Sequence, residues 1–364
     1  MGLLRFLLAV SVVIVHSSPV LGFKMMEGFI AVQAFYIVSG FYMTLILNEK
    51  YIGKKSSYWL FISNRYLRLY PIYFVIVLMT ILLSLLYGFL LNDFGKLSYY
   101  LNDIYSMKPF TLLVLLFSNL TLIGQDILSF TSYQETQGTL HFADLYELPT
   151  IYSFMFISIA WTVSLELNFY LIAPFVVRKS ILRPLLVLMI SILIRILFYQ
   201  WGYDRDPWIY RFFPTEVLFF MLGSLSYHLY KNIPERIRHL HKIFFVLLII
   251  FTLSFYYLPT YYVKIFTYYF LVMLGIPFLF KLTKNHPIDR YIGELSYPIY
   301  LVHPLVLMIT LANRFPKLES LGTTTLILTL IMAILLHELI AKPLEKYRQS
   351  RINKTNEPVS FLQM

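Results

Sequence analysis

Residues 70–92 read YPIYFVIVLMTILLSLLYGFLLN and contain no charged side chain. A helix rises about 1.5 Å per residue, so a run of this length covers the roughly 30 Å of hydrocarbon in a bilayer. Similar windows lie on both sides of it, at 3–22, 28–48, 150–176, 181–199, 212–230, 243–259, 263–282, 295–313 and 320–341. Composition agrees: 59% of the 364 residues are apolar and only 13% are charged, where a soluble chain carries about 25% charge. That much apolar surface must face lipid. The expected fold is an all-α polytopic membrane protein of about ten transmembrane helices. It forms one domain over 1–345, followed by a short basic tail over 346–364.

Loop charge sets the expected orientation. With a cytoplasmic N-terminus, 21 of the 30 Lys and Arg fall on the inside, including Arg65, Arg68, Lys54, Lys55, Arg236, Arg238 and Lys354. Eight fall outside, Arg314 and Lys317 among them, and Arg195 lies within a span. This asymmetry predicts that both termini are cytoplasmic and that the excess of positive charge meets anionic lipid and not nucleic acid. Arg5 interrupts the first apolar run and no A-x-A site follows, so that run is expected to be a retained helix. The long outer loop, 93–149, is acidic and Tyr-rich (Asp93, Asp103, Asp126, Glu135, Asp144, Glu147), and 110–124 reads as an interfacial or re-entrant piece. The chain has no cysteine, which excludes disulfides, thiolate metal sites and a Cys-thioester intermediate. Its histidines, His239 among them, lack metal-ligand spacing, so no metal is expected.

Ionisable groups inside lipid are costly and mark either function or structural pairing. Arg5 and His16 stand eleven residues apart, within about 20° of one helix face and about 16 Å apart along the axis. Arg5 is expected at the cytoplasmic mouth and His16 deep in the bilayer, as an anion contact below a general base. The alternative is a snorkelling anchor and a histidine bonded to a neighbouring helix. Arg65 and Arg68 share a face of a short interfacial helix, with Pro71 opening the next span. Two forked guanidiniums suit a phosphate or pyrophosphate, or else lipid headgroups. Glu166, in the stretch Trp161-Thr-Val-Ser-Leu-Glu166, needs a partner, and either orients His16 or makes a structural ion pair. Ser296, Tyr300 and His303 recur at i, i+4 and i+7 beside Tyr297, while Pro298 and Pro304 free helix carbonyls. Ser39-Gly40 reads as a close helix contact, Arg195 with Glu216 as a structural pair, and His337 with Glu338 as architecture.

These motifs occur in an order that resembles the acyltransferase-3 family, which includes bacterial polysaccharide O-acetyltransferases. The matching pieces are Arg5 with His16, Phe35-Tyr-Ile-Val-Ser39-Gly40-Phe41, Arg65-Tyr-Leu-Arg68, Trp161 to Glu166, and Ser296-Tyr297-Pro298-Ile-Tyr300-Leu-Val-His303. The resemblance implies a cytoplasmic acetyl-CoA donor, a catalytic His16, and donor phosphates held by Arg5, Arg65 and Arg68. It also implies an acceptor hydroxyl on a cell-surface or lipid-linked glycan, such as a lipopolysaccharide sugar, handled at a bacterial inner membrane.

On this reading neutral His16 deprotonates the acceptor hydroxyl, oriented by Glu166 or another buried polar group. Tyr300 or His303 polarises the thioester, with Ser39, Trp161, Ser296 and Tyr297 completing the pocket. An acetyl-histidine relay is the competing mechanism. Trp201, Trp208, Tyr203 and Tyr210 offer either sugar stacking or an interfacial belt. The rival functions are a transporter of a glycan precursor or acyl group, and a transferase using succinyl or a non-glycan acceptor. An oligomer is compatible with either.

Overall fold

The computed structural model describes residues 1–51, 58–143, 150–234, 237, 240–312 and 315–356, without the side chains of 150 and 354–356. Lys54, Lys55, Asp144, Glu147, Arg236, Arg238, His239, Arg314 and the Lys354 side chain therefore lie outside the described residues. The first half of the chain holds α1 (Gly2–His16), α2 (Gly28–Glu49), α3 (Tyr58–Leu91), α4 (Lys96–Asp103), α5 (Pro109–Thr121) and α6 (Gln125–Leu128). A small antiparallel hairpin follows, β1 (Thr131–Gln134) paired with β2 (Thr139–Phe142), Thr131 opposite Phe142. The second half holds α7 (Trp161–Val176), α8 (Leu182–Gln200), α9 (Phe213–Asn232), α10 (Leu240–Ser254), α11 (Tyr261–Thr283), α12 (Pro287–Leu311), α13 (Leu321–Leu336) and α14 (Lys342–Asn356). A single π-turn, His337–Ala341, links the last two.

Among the described residues, 7 helices are long and apolar enough to cross a membrane. They match seven of the ten windows. The other three windows are α1 and α7, of 15 and 16 residues, and α9, which carries Glu216, His228 and Lys231 along its length. At about 1.5 Å per residue α1 spans roughly 22 Å, short of a full crossing. It stops at His16 because Ser17-Ser18-Pro19 follows: Pro19 disfavours helical backbone in the residue before it, and Leu21 and Gly22 turn the chain with φ of 51° and 77°. The 3–22 window thus overran the helix, and His16 stands at its end instead of in mid-span.

A second difference concerns Arg65 and Arg68. No separate interfacial helix carries them; α3 runs unbroken for 34 residues with Pro71 inside it. A proline there loses one backbone hydrogen bond without ending the helix, which continues to Leu91. Beyond the π-turn, residues up to 356 continue as α14 and return to α3.

Helices α2 and α9 pack backbone against backbone. A Cβ on Gly40 would sit 2.0 Å from the Phe220 carbonyl oxygen, and one on Gly223 would sit 1.9 Å from that of Ile37. Only glycine permits these backbones to touch. Between them Glu216, fully buried, meets Arg195 at 2.6 Å and accepts from Gln33 Nε2 at 2.9 Å, which is the structural pair the sequence suggested. A similar close approach joins α1 to α12, where a Cβ on Gly2 would strike the Asp289 carbonyl. The Asp289 carboxylate caps α1, accepting from the Gly2 and Leu3 amides at 2.8 and 2.9 Å. This contact fixes the register that sets α1 against α12. The helices α3, α8, α10, α11 and α13 turn large apolar side chains outward, as lipid-facing helices do.

Candidate functional site

The register of α1 on α12 brings His16 to His303. Their rings stack with centroids 5.0 Å apart, and His303 Nε2 lies 3.1 Å from His16 Nδ1. Pro304 has no amide hydrogen, so the Tyr300 carbonyl one turn earlier lacks its helix partner. His303 Nδ1 takes that role and donates to the Tyr300 carbonyl at 2.6 Å. His303 Nε2 is thereby left as an acceptor. His16 Nδ1 faces two acceptors, this nitrogen and the Val12 carbonyl at 3.0 Å, and so carries the proton. The tautomer assigned from this network leaves His16 Nε2 with a free lone pair. His16 is exposed where it borders a cavity, whereas His303 is buried behind it.

Glu166 is not the residue that orients His16. Its Oε1 accepts from Ser39 Oγ and from the Tyr170 hydroxyl, both at 2.5 Å, and it lines a different cavity together with Arg5 and Arg68. The glutamate sits about one and a half helical turns beyond Trp161, far enough along α7 to belong to the basic end of the bundle.

Two cavities meet inside the bundle. The narrow one, about 90 Å³, is lined by Arg5, Ser39, Arg68, Glu166, Ser296, Tyr297 and Tyr300. The wider one, about 390 Å³, is lined by His16, Tyr152, Trp161, Tyr210, Arg211 and Tyr300. Val32 and Tyr300 line both and form the partition. The Tyr300 hydroxyl shares a hydrogen bond with Thr162 Oγ1 at 2.9 Å, and Phe35 packs edge-on against the same ring. Ser296 and Tyr297 brace the narrow cavity from α12. Ser296 Oγ donates to the Gly293 carbonyl and the Tyr297 hydroxyl to the Leu69 carbonyl, each at 2.7 Å.

Sequence inspection missed Arg211. It donates through Nε and Nη2 to both oxygens of Asp206, at 2.7 and 2.8 Å, and its guanidinium lies 4.4 Å from the Trp161 ring centre and 4.6 Å from that of Tyr152. Burial lowers the basicity of Arg211, and the Asp206 pair more than restores it, leaving the group above an ordinary arginine. This fixed cation forms one wall of the His16 cavity. Of the four loop aromatics considered for stacking, Tyr210 lines the cavity. Trp208 instead packs into a nest of Phe130, Tyr203 and Phe212.

The long loop braces α7 at this end. Asp126 accepts from Ser164 Oγ at 2.6 Å and Asn168 Nδ2 at 2.7 Å, while burial pushes its carboxyl above the ordinary aspartate range. Asn119 of α5 reaches the Phe156 amide and the Phe154 carbonyl, at 2.9 and 3.0 Å, just before α7 begins. No cluster of three potential metal ligands occurs among the described residues.

Arg65 does not line either cavity; it lies behind Arg68 on α3, 6% exposed, near Arg348 of α14. The three arginines expected to hold one ligand thus divide, with Arg5 and Arg68 in the narrow cavity and Arg65 beside it. A family model described as an acyltransferase domain matches residues 1–338. No curated protein matches the chain, and no solved structure does.

Proposed function

Because the chain belongs to the acyltransferase-3 family, a family of multi-pass membrane acyltransferases, we propose that it moves an acetyl group from acetyl-CoA to a sugar hydroxyl of a cell-surface polysaccharide or lipopolysaccharide. The observation that carries this reading is the pair of cavities sharing Tyr300, one lined by arginines and the other holding His16. The excess of basic residues supports placing the arginine end in the cytoplasm of a bacterial inner membrane, where CoA thioesters are available. Donor phosphates then meet Arg5 and Arg68, the pantetheine arm follows the narrow cavity, and the thioester reaches the partition at Tyr300.

The acceptor enters the wide cavity, where Arg211 and the edges of Trp161 and Tyr210 meet its oxygens and ring. His16 Nε2 takes the hydroxyl proton as the oxygen attacks the thioester carbonyl. The tetrahedral oxyanion collapses, the C–S bond breaks, and the CoA sulfur leaves with the proton from the imidazolium. His303 holds the imidazole in the base-ready tautomer, as the third group of a catalytic triad does. The Tyr300 hydroxyl, once turned from Thr162, is the nearest donor to a carbonyl arriving from the narrow side. Glu166 neutralises the arginine end and positions Ser39 without taking part in proton transfer.

The test uses purified protein in lipid nanodiscs, acetyl-labelled CoA and deacetylated surface glycan. His16→Ala abolishes transfer while insertion and melting stay as in the parent; substantial residual transfer removes His16 from the chemistry. Mass spectrometry of surface glycans from cells with and without the protein identifies the acceptor.

A further inference from the structure

Three arginines gather where α14 returns to α3. Arg351 donates from Nη1 to Asn64 Oδ1 at 2.8 Å and from Nη2 to Ser63 Oγ at 2.9 Å, which docks α14 beside Arg65. One turn back along α14, Arg348 is 5% exposed and Arg65 opposite it is 6% exposed. Arg348 faces the charges of both Arg65 and Arg68. The Nε atoms of Arg65 and Arg348 are buried without any hydrogen-bond partner. Glu345 bonds Arg348 Nη1 at 2.5 Å, but its side chain is 43% exposed and is shared with Gln349. Glu166 meets this cluster only through Arg68, whose other side faces Arg5, so two carboxylates stand against four guanidiniums and neither bonds Arg65 or the Arg348 Nε. Buried cations persist where they are paired, and unpaired buried donors are expensive. Forked N–H groups converging from two helices fit the tetrahedral oxygens of a phosphate.

We propose that Arg348 completes, with Arg65 and Arg68, a phosphate site at the basic end of the bundle. The C-terminal helix, which lies beyond the matched residues 1–338, is then part of a ligand-binding wall. The ligand is a phosphate ester. Arg68 borders both this cluster and the narrow cavity, so a phosphate held here is continuous with a chain lying in that cavity. The same chemistry is offered by a phosphate of the CoA donor or by an anionic lipid headgroup. The donor source rests on the function proposed above; the phosphate site does not.

The experiment compares the full chain with Arg348→Ala and Arg348→Lys in phosphatidylcholine nanodiscs, titrating CoA by calorimetry. Native mass spectrometry then counts phosphatidylglycerol retained by each. For a donor phosphate, Arg348→Ala weakens CoA binding about tenfold, and Arg348→Lys, which keeps the charge but loses the fork, recovers part of it. For a lipid headgroup, CoA binding is unchanged and retained phosphatidylglycerol falls in Arg348→Ala. If neither ligand responds to either variant, the phosphate site is wrong, while His16-dependent acyl transfer still stands. Conversely, normal CoA binding with no acyl transfer by the parent overturns the transferase reading and leaves the phosphate site intact. Should Arg348→Ala melt early, Arg348→Lys decides: unchanged affinity for both ligands refutes the proposal.

Discussion

His303 makes the sharpest prediction, because its ring, anchored on the Tyr300 carbonyl, links α12 to the proposed base. Truncation to alanine removes the acceptor 3.1 Å from His16 Nδ1 and the ring stacked on it at 5.0 Å. His16 Nδ1 then keeps the Val12 carbonyl alone, at 3.0 Å, a partner on its own helix that restrains rotation of the ring less than a second helix does. A lost buried hydrogen bond costs about 1–3 kcal/mol. Expressed in the transition state, that lowers kcat about ten- to hundredfold. KM for donor and acceptor is unchanged, since His303 is buried behind His16 and lines neither cavity. His303→Gln keeps an acceptor within reach of His16 and recovers part of the loss. The assay is steady-state acetyl transfer by purified protein in nanodiscs, with melting temperature as the control for folding. A His303→Ala variant that folds normally and keeps kcat within about twofold refutes the orienting role. So does a defect confined to KM.

Three other outcomes follow from the geometry. Arg211→Gln removes the fixed cation on the His16 cavity wall and raises acceptor KM about tenfold with donor KM unchanged; equal changes in both would place Arg211 outside the acceptor side. Gly223→Val forces a side chain into the Ile37 carbonyl and costs at least about 1–3 kcal/mol, read as a lower melting temperature in detergent, where a neutral result would deny the α2–α9 contact. Asp126, raised by burial, binds its proton more tightly folded than unfolded. Its ionised form therefore weakens the fold above the folded pKa, a cost that fades as pH falls toward the ordinary aspartate value and is gone below it. Melting of the parent relative to Asp126→Asn should thus rise on acidification; a flat difference would show that burial does not raise this carboxyl.

Much of the bundle was legible because lipid imposes a long, uninterrupted apolar run on every full crossing. Seven of the ten windows are helices of sufficient length for that reason. The misplacements have local causes. The Ser17-Ser18-Pro19 stop shortened α1 and put His16 at a helix end, and hydropathy windows do not register a proline that merely ends a helix. Pro71 was read as a helix start, yet packing on α5, α7 and α12 carries α3 through it. The α14 helix has a polar composition that reads as a tail, and it is held by Arg351 bonding to Ser63 and Asn64, some 287 residues away in the chain. Arg211 looked like one more loop cation until Asp206, Trp161 and Tyr152 closed around it.

The sequence alone determined which residue types lie in apolar helices, the period that places Arg5 and His16 on one face, and the ordered motifs that mark the family. These are local or linear properties, set by chain spacing and by the demand that every backbone group in lipid be satisfied. Tertiary structure decided the pairings. It joined His16 to His303 in place of Glu166, gave Glu166 to Ser39 and Tyr170, and set Tyr300 between two cavities. Such contacts depend on the relative height and rotation of helices far apart in the chain. Here those are fixed by two glycine contacts and one aspartate cap, which no periodicity within a single helix encodes.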